Sequence, residues 1–264
     1  MSVLSEIVAD TRAAVARRSA AVPLSALVEA GEQRRAGEGE PRDFTAALAA
    51  PGISLIAEHK RSSPSAGVIR ADLQLPAVVS AYERAGARAV SVLTEEGRFG
   101  GRLEDLAAAR GAVSLPILRK DFIVGEYQVH EALAAGADAI LLIVAALDAQ
   151  TLRRLHALAR ELGLATLVEV HDAGELAVAN ALGAEIVGIN NRDLATLEVD
   201  VQRVHALRSE VGDGALVVAE SGIRSHAELE RLQEAGVDAV LVGEALMRAR
   251  DIEAATRELL GSKR

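Results

Sequence analysis

Four segments repeat one pattern at intervals of about 50 residues: GARAVSVL (86–93), GADAILLI (136–143), GAEIVGIN (183–190) and GVDAVLVG (236–243). Each is a glycine, a small residue and then an apolar run, as expected of a helix C-cap leading into a buried strand. Midway lie further short apolar runs, LPILRKDF (115–122), LATLVEV (164–170) and ALVVAESG (215–222), and ISLIAEHK (53–60) precedes them all. Between these eight candidate strands sit helical patterns, among them 76–85, 125–135, 148–162, 172–182 and 225–235. The last opens on Ser225 with Glu228 three residues later, a capping-box signature. Strict alternation of strand and helix requires right-handed crossovers and a parallel sheet. Eight such units fit a closed (β/α)8 TIM barrel better than an open sheet, and no strand is followed by the GxGxxG fingerprint of open dinucleotide-binding folds.

Residues 1–52 read as a helical extension: helices at 2–21 and 23–35, then a short one capped by Asp43 and broken by Pro51-Gly52. This segment is too short for a core of its own, so it is expected to join the barrel of residues 53–264 as one domain. A chain of 264 residues, half apolar and a quarter charged, can bury such a core without staples. With no cysteine, thiolate metal sites, disulfides and cysteine nucleophiles are excluded. A net charge of −9 argues against a general nucleic-acid or anionic-membrane surface. The longest apolar run, 139–147, is too short to span a bilayer, and the early acids of MSVLSEIVADTR do not form a signal pattern, so a cytoplasmic protein is expected.

Of 29 cationic side chains only Lys60, Lys120 and Lys263 are lysines, and Lys263 is expected to fray at the terminus. The other two fall at carboxyl ends of strands, where the active sites of such barrels lie. Those ends read Glu58-His59-Lys60, Arg119-Lys120-Asp121-Phe122, Glu169-Val170-His171, Asn190-Asn191-Arg192, Glu220-Ser221-Gly222 and Gly243-Glu244. Arginine stays protonated, whereas a lysine in an apolar mouth is expected to have its pKa lowered from about 10.4 and to serve as a general acid. By period-two alternation Glu58 and Lys60 share a face, and His59 points to the helical layer as a packing residue. His171 shares the parity of Glu169 but lies beyond its strand, which leaves its role open. A buried ion-pair network is the structural alternative for these groups; none is evident at the opposite strand ends, which favours function.

The glycines after strands seven and eight, Gly222 and Gly243, expose backbone N–H groups beside helix starts, the phosphate seat of this fold. The plainer reading is that each glycine makes a tight turn. Phe99 and Phe122, two of only five aromatic residues, lie in the second and third strand-to-helix loops. With Pro64 and Leu141 they can form an apolar slot for a flat ring, although either alone would pass for core.

IAEHKRSSPSAG (56–67), SVLTEEGRFGG (91–101), PILRKDFIV (116–124), LLIVAAL (141–147), LVEVH (167–171), GINNRDL (188–194), AESGI (219–223) and VLVGEALM (240–247) follow in order. By these motifs the chain resembles the indole-3-glycerol-phosphate synthase family over essentially its whole length, with His59 where that family more usually has an apolar residue or Tyr. The resemblance implies decarboxylating, dehydrating ring closure of 1-(2-carboxyphenylamino)-1-deoxyribulose 5-phosphate to indole-3-glycerol phosphate, in tryptophan biosynthesis. It implies Lys120, Lys60, Glu169, Glu58 and Asn190 as catalytic residues. It places Ser63, Pro64, Phe99, Phe122, Leu141, Arg192, Glu220, Ser221, Gly222, Leu241, Gly243 and Glu244 against the substrate, Glu244 through its backbone. No metal or organic cofactor is expected, and the partner is a small anthranilate-bearing phosphosugar bound by a monomer. A phosphoribosylanthranilate isomerase would share the phosphate seat but typically uses a cysteine, absent here. A noncatalytic phosphosugar-binding barrel would have no need to keep both mouth lysines in so arginine-rich a chain.

Overall fold

The eight strand segments pair in chain order and the last returns to the first, closing a parallel barrel. The computed structural model describes residues 3–262 except 65, 71 and 194–195; residue 2, where the first helix was expected to begin, and Lys263 lie outside the described residues. Its strands are β1 (Ser54–His59), β2 (Ala89–Leu93), β3 (Ile117–Lys120), β4 (Ala139–Ile143), β5 (Ala165–Val170), β6 (Ile186–Asn190), β7 (Leu216–Glu220) and β8 (Ala239–Val242). Closure sets Ser54 opposite Ala239 and Ile56 opposite Leu241. An extra hairpin, Ser62–Ser63 with Gly67–Val68, rises after β1.

Helices α1 (Val3–Ala21), α2 (Leu24–Glu38) and α3 (Phe44–Leu48) precede the barrel. Around it run α4 (Leu75–Ala85), α5 (Glu104–Ala112), α6 (Glu126–Ala135), α7 (Ala149–Glu161), α8 (Ala173–Leu182), α9 (Gln202–Leu207) and α10 (His226–Glu234). The single turn α11 (Glu244–Met247) and then α12 (Ile252–Leu259) follow β8. The repeat glycine does what its position demands: α4 and α6 end on Gly86 and Gly136 at φ 100° and 96°, a left-handed turn that a side chain would oppose. At α10, Glu228 accepts the Ser225 N–H at 3.0 Å, completing the expected cap. No described helix is long and apolar enough to cross a membrane.

Alternation sorts two apolar layers. Outward residues such as Leu55, Val90, Ile140 and Val187 pack beneath the helices, while Ile56, Ala89, Leu118, Ala139, Leu167, Ile186, Val218 and Ala239 fill the barrel. The inner cluster recruits the N-terminal segment at both ends. Phe44 and Leu48 of α3 join it, and Ser54 Oγ donates to the Leu48 carbonyl at 2.8 Å. Ile7 of α1 joins it near Phe122 and Ile143. Asp43 caps α3 as expected, accepting the Ala46 N–H at 2.8 Å.

Charge burial at the opposite strand ends corrects the sequence reading, which saw none there. Asp138, at the foot of β4, is fully buried and ion-pairs with Arg110 at 2.7 Å, with Arg34 at 3.8 Å. Its carboxylate also accepts backbone N–H groups from Arg42 at 2.7 Å and Ile117 at 2.8 Å. Those partners come from α2, the α2–α3 link, α5 and the start of β3, so the site forms only after long-range folding. Buried ion pairs therefore do not by themselves mark the functional end of this barrel.

Candidate active site

The carboxyl end of the barrel opens into a cavity of about 540 Å³. All seventeen residues implied by the resemblance line it. The inward parity of each strand brings them there: Glu58 on β1, Lys120 on β3, Leu141 on β4, Glu169 on β5, Asn190 on β6, Glu220 on β7 and Leu241 on β8. Their sequence neighbours face the other way. Arg119 is fully buried outside the barrel wall, where it donates to Asp121 and Glu131, both at 2.8 Å. Arg18 of α1 reaches the same Glu131 at 2.7 Å. Lysine and arginine have thus divided their tasks on one strand.

Lys60 Nζ stands 2.8 Å from Glu58 Oε1. Lys120 Nζ stands 3.5 Å from Glu169 and 3.2 Å from Glu220. The two lysine side chains keep 16% and 15% exposure at the mouth, while their three carboxylates are buried. Two glycines make room for those carboxylates. A Cβ at Gly188 on β6 would overlap Glu220 Oε1, and one at Gly243 would meet Glu58. Ser91 Oγ on β2 adds a 3.4 Å contact to Glu58.

The electrostatics overturn one expectation. Burial opposes the charge on Lys120, but Glu220, Glu169 and Glu58 outweigh it, and its pKa is raised rather than lowered. Burial likewise pushes Glu169 and Glu58 up, and the lysines outweigh it, so both stay ionised below the usual carboxylate range. Glu220 goes the other way: burial and its neighbour Glu169 prevail over Lys120, and its acid form is favoured. Lys120 is therefore a cation set between Glu169, whose ionised form is favoured, and Glu220, whose acid form is favoured. His59 lies outside the wall as its parity required, 1% exposed, with burial and Arg61 lowering it to about 4.

Phe99 and Phe122 stand 6.3 Å apart with planes tilted by 41°, forming one apolar wall. Pro64 is exposed at the rim, and Ser63 Oγ beneath it accepts the Ala66 N–H at 3.2 Å. The rim hairpin is tied to α5 and to the loop before it: Arg61 pairs with Asp105 in the first turn of α5, and Ser62 Oγ donates to the Arg98 carbonyl at 3.2 Å. Arg192 lines the cavity with one guanidinium nitrogen on the Leu197 carbonyl at 3.0 Å. Ser221 and Gly222 follow β7 at φ 66° and 83°, two successive left-handed residues in the cavity lining. Gly243 and Glu244 face them at the start of α11.

Sequence reasoning missed the ceiling. Val3, Leu4 and Ile7 of α1 line the cavity, and Arg98 holds α1 through Glu6 at 3.1 Å. Arg224 and Arg248 also line the phosphate-seat side. Nothing local in the first twenty residues marks them for a mouth some hundred residues downstream. Among the described residues, no three His, Asp or Glu side chains are grouped to hold a metal ion.

A family model described as indole-3-glycerol phosphate synthase matches residues 4–259. Proteins named indole-3-glycerol phosphate synthase from Nocardioides sp. and Rhodopirellula baltica are 51% and 47% identical to the chain. The first alignment covers 99% of both chains, the second 99% of this chain and 100% of the relative. In shape the chain is similar to a solved 3-hexulose-6-phosphate synthase at a TM-score of 0.63 and 20% identity, covering 80% of this chain and 99% of the other. That last likeness speaks to the barrel alone.

Proposed function

Since the chain belongs to the indole-3-glycerol phosphate synthase family of decarboxylating lyases, we propose the following division of work for its ring-closing chemistry. Lys120 gives a proton to the ribulose carbonyl oxygen as the aryl carbon bearing the carboxylate attacks the carbonyl carbon. A carbon–carbon bond forms and the carbonyl oxygen becomes a hydroxyl. The aryl–carboxylate bond then breaks, CO2 leaves, and its electron pair restores the benzenoid ring. Lys60 next protonates the new hydroxyl, which leaves as water, while Glu58 takes the proton from the neighbouring carbon to complete the indole.

The observation that carries this reading is the separation of two lysine–carboxylate sets across one cavity, Lys120 with Glu169 and Glu220, Lys60 with Glu58. The ribulose carbonyl oxygen is protonated in two successive steps, at ring closure and at dehydration, and the chain's two mouth lysines supply a donor for each. Glu169 orients Lys120 and relays to it the proton that solvent returns. Phe99, Phe122, Leu141, Leu241 and Pro64 enclose the aromatic ring. Asn190 and Arg192 hold the carboxylate or the hydroxyls, with Ser63 as a further polar contact. Ser221, Gly222, Gly243 and Glu244 seat the phosphate through backbone N–H groups. Every residue these steps use comes from one chain, which fits a monomer as the working unit.

The test is direct. The purified protein is given the carboxyphenylamino-deoxyribulose phosphate, and indole fluorescence is followed against the low background of a chain without tryptophan. Product with release of CO2 is expected. No product and no CO2 at micromolar enzyme would sink the reading.

A further inference from the structure

Glu169 has a neighbour that the proposed steps leave idle. His171, just past the end of β5, keeps only 9% of its side chain exposed. Its Nδ1 is hydrogen-bonded to Glu175 Oε2 on α8 at 3.0 Å, and its Nε2 faces Glu169 Oε1 at the ion-pair distance of 3.4 Å. Glu175 also accepts the His171 backbone N–H at 2.8 Å, so it grips both the ring and the peptide. Glu175 is fixed in turn by the start of its helix: Asp172 caps α8 and accepts the Glu175 N–H at 2.9 Å. On the far side, Glu169 turns its other oxygen, Oε2, to Lys120 at 3.5 Å. Carboxylate, ring, carboxylate and ammonium stand in a row.

A neutral imidazole carries one N–H, and a ring set between two acceptors can donate to both only when protonated. We propose that His171 is a positioning residue for ring closure: held by Glu175, its imidazolium keeps Glu169 ionised and aimed at Lys120. This rests on the reading of Lys120 and Glu169 as the ring-closing pair. The groups facing the imidazole are Glu169 from β5 and Glu175 from α8, with Asn190 from β6 and Lys120 from β3 meeting Glu169 beyond it. Burial works against the charge on His171, yet the two carboxylates outweigh it and raise its pKa to about 10. A merely structural His171 would tie the end of β5 to α8, and its loss would lower stability without touching the titration of catalysis.

The pH profile separates these cases. In His171→Asn, and more mildly in Glu175→Gln, kcat is expected to fall about tenfold, with KM changed less than about threefold. The acid limb of kcat should move up by about one pH unit, because Glu169 has lost an adjacent cation and burial then dominates. Histidine NMR gives a readout apart from activity. The chain has six histidines, so the imidazole signal missing from His171→Asn identifies His171 in the wild type. That signal should remain in its charged form at pH 8 and titrate at lower pH in Glu175→Gln. Should His171→Asn fail to fold, Glu175→Gln, 19% exposed at the end of the row, carries both measurements, the His171 signal being the one whose titration it moves. A His171 signal titrating at or below the ordinary ~6.5, or an unmoved acid limb in an active enzyme, overturns the proposal alone. An inactive wild type overturns the ring-closure reading, and the assignment to catalysis goes with it, while the NMR titration still decides whether the clamp exists.

Discussion

Gly243 lies directly against Glu58: a Cβ built on residue 243 would stand 2.5 Å from Glu58 Oε1 and 3.0 Å from its Cβ. The proposed phosphate seat and the Lys60–Glu58 pair thus share a wall one atom thick. Substituting Gly243 cannot block backbone donors alone. Gly243→Ala is expected to displace Glu58 from Lys60, lowering kcat and weakening inhibition by inorganic phosphate together, and to destabilise by about 1–3 kcal/mol through overpacking. Steady-state kinetics with phosphate as competitor checks this; weaker phosphate inhibition with kcat intact would uncouple the two sites.

The lysines give the sharpest chemical test in a chain that otherwise uses arginine for its cations. If Lys120 and Lys60 only balance charge, arginine should serve. As proton donors, Lys120→Arg and Lys60→Arg should each retain substantial substrate affinity and lose kcat by about 10² or more, because a planar guanidinium fork cannot present a proton from the position the ammonium holds. Rapid quench distinguishes them: Lys120→Arg stalls before CO2 is released, Lys60→Arg after CO2 and before indole. Near-normal turnover in both returns the lysines to an electrostatic role.

Arg119, next to Lys120 but on the opposite face, is predicted to matter for folding alone. Arg119→Met strands the buried carboxylates of Asp121 and Glu131 without their shared cation, and a loss of about 3–5 kcal/mol is expected in urea unfolding. The folded fraction at low temperature should keep most of its kcat. A stable variant would show that Arg18, 2.7 Å from Glu131, suffices.

Two histidines set opposite limits on stability. His59 is held at about 4, so between that value and its ordinary ~6.5 the unfolded chain binds a proton the folded chain refuses. Its contribution is complete above ~6.5 and is lost as pH falls toward 4, up to ~3 kcal/mol. His171 is raised to about 10, so its contribution is complete below ~6.5 and is lost as pH rises through 10. Urea unfolding from pH 4 to 10 should peak near neutrality. His59→Leu should flatten only the acid side, and His171→Asn only the alkaline side.

The strand ends were readable because alternation assigns Glu58, Lys120, Glu169 and Glu220 to one face without any knowledge of distance. Magnitudes and signs were not readable in the same way. Lys120 has a raised pKa because three carboxylates from three other strands converge on it, and convergence is a property of closure. The α1 ceiling carried no local mark, since Ile7 meets the barrel interior only after the whole sheet has formed. The floor network had a signal that went unused. Asp138 and Asp238 hold the same place in GADAI and GVDAV, and each accepts an N–H from the opening of the preceding strand, Ile117 at the start of β3 or Val217, second in β7, at 2.8 Å.

Closure also bears on how the chain reaches this state. β1 owes one of its two hydrogen-bonded edges to β8, so Ser54 waits for Ala239, most of the chain length away, before its ladder is complete. Phe44, Leu48 and Ile7 share that delay, because the interior they seal has no walls until the ring is whole. A chain ending after β7 would carry two open parallel edges and an uncovered lumen, the surfaces on which such intermediates associate. Loop-closure entropy for this last pairing is met late, so the polypeptide is expected to fold slowly and to rely on holding its early segments apart until the ring can shut.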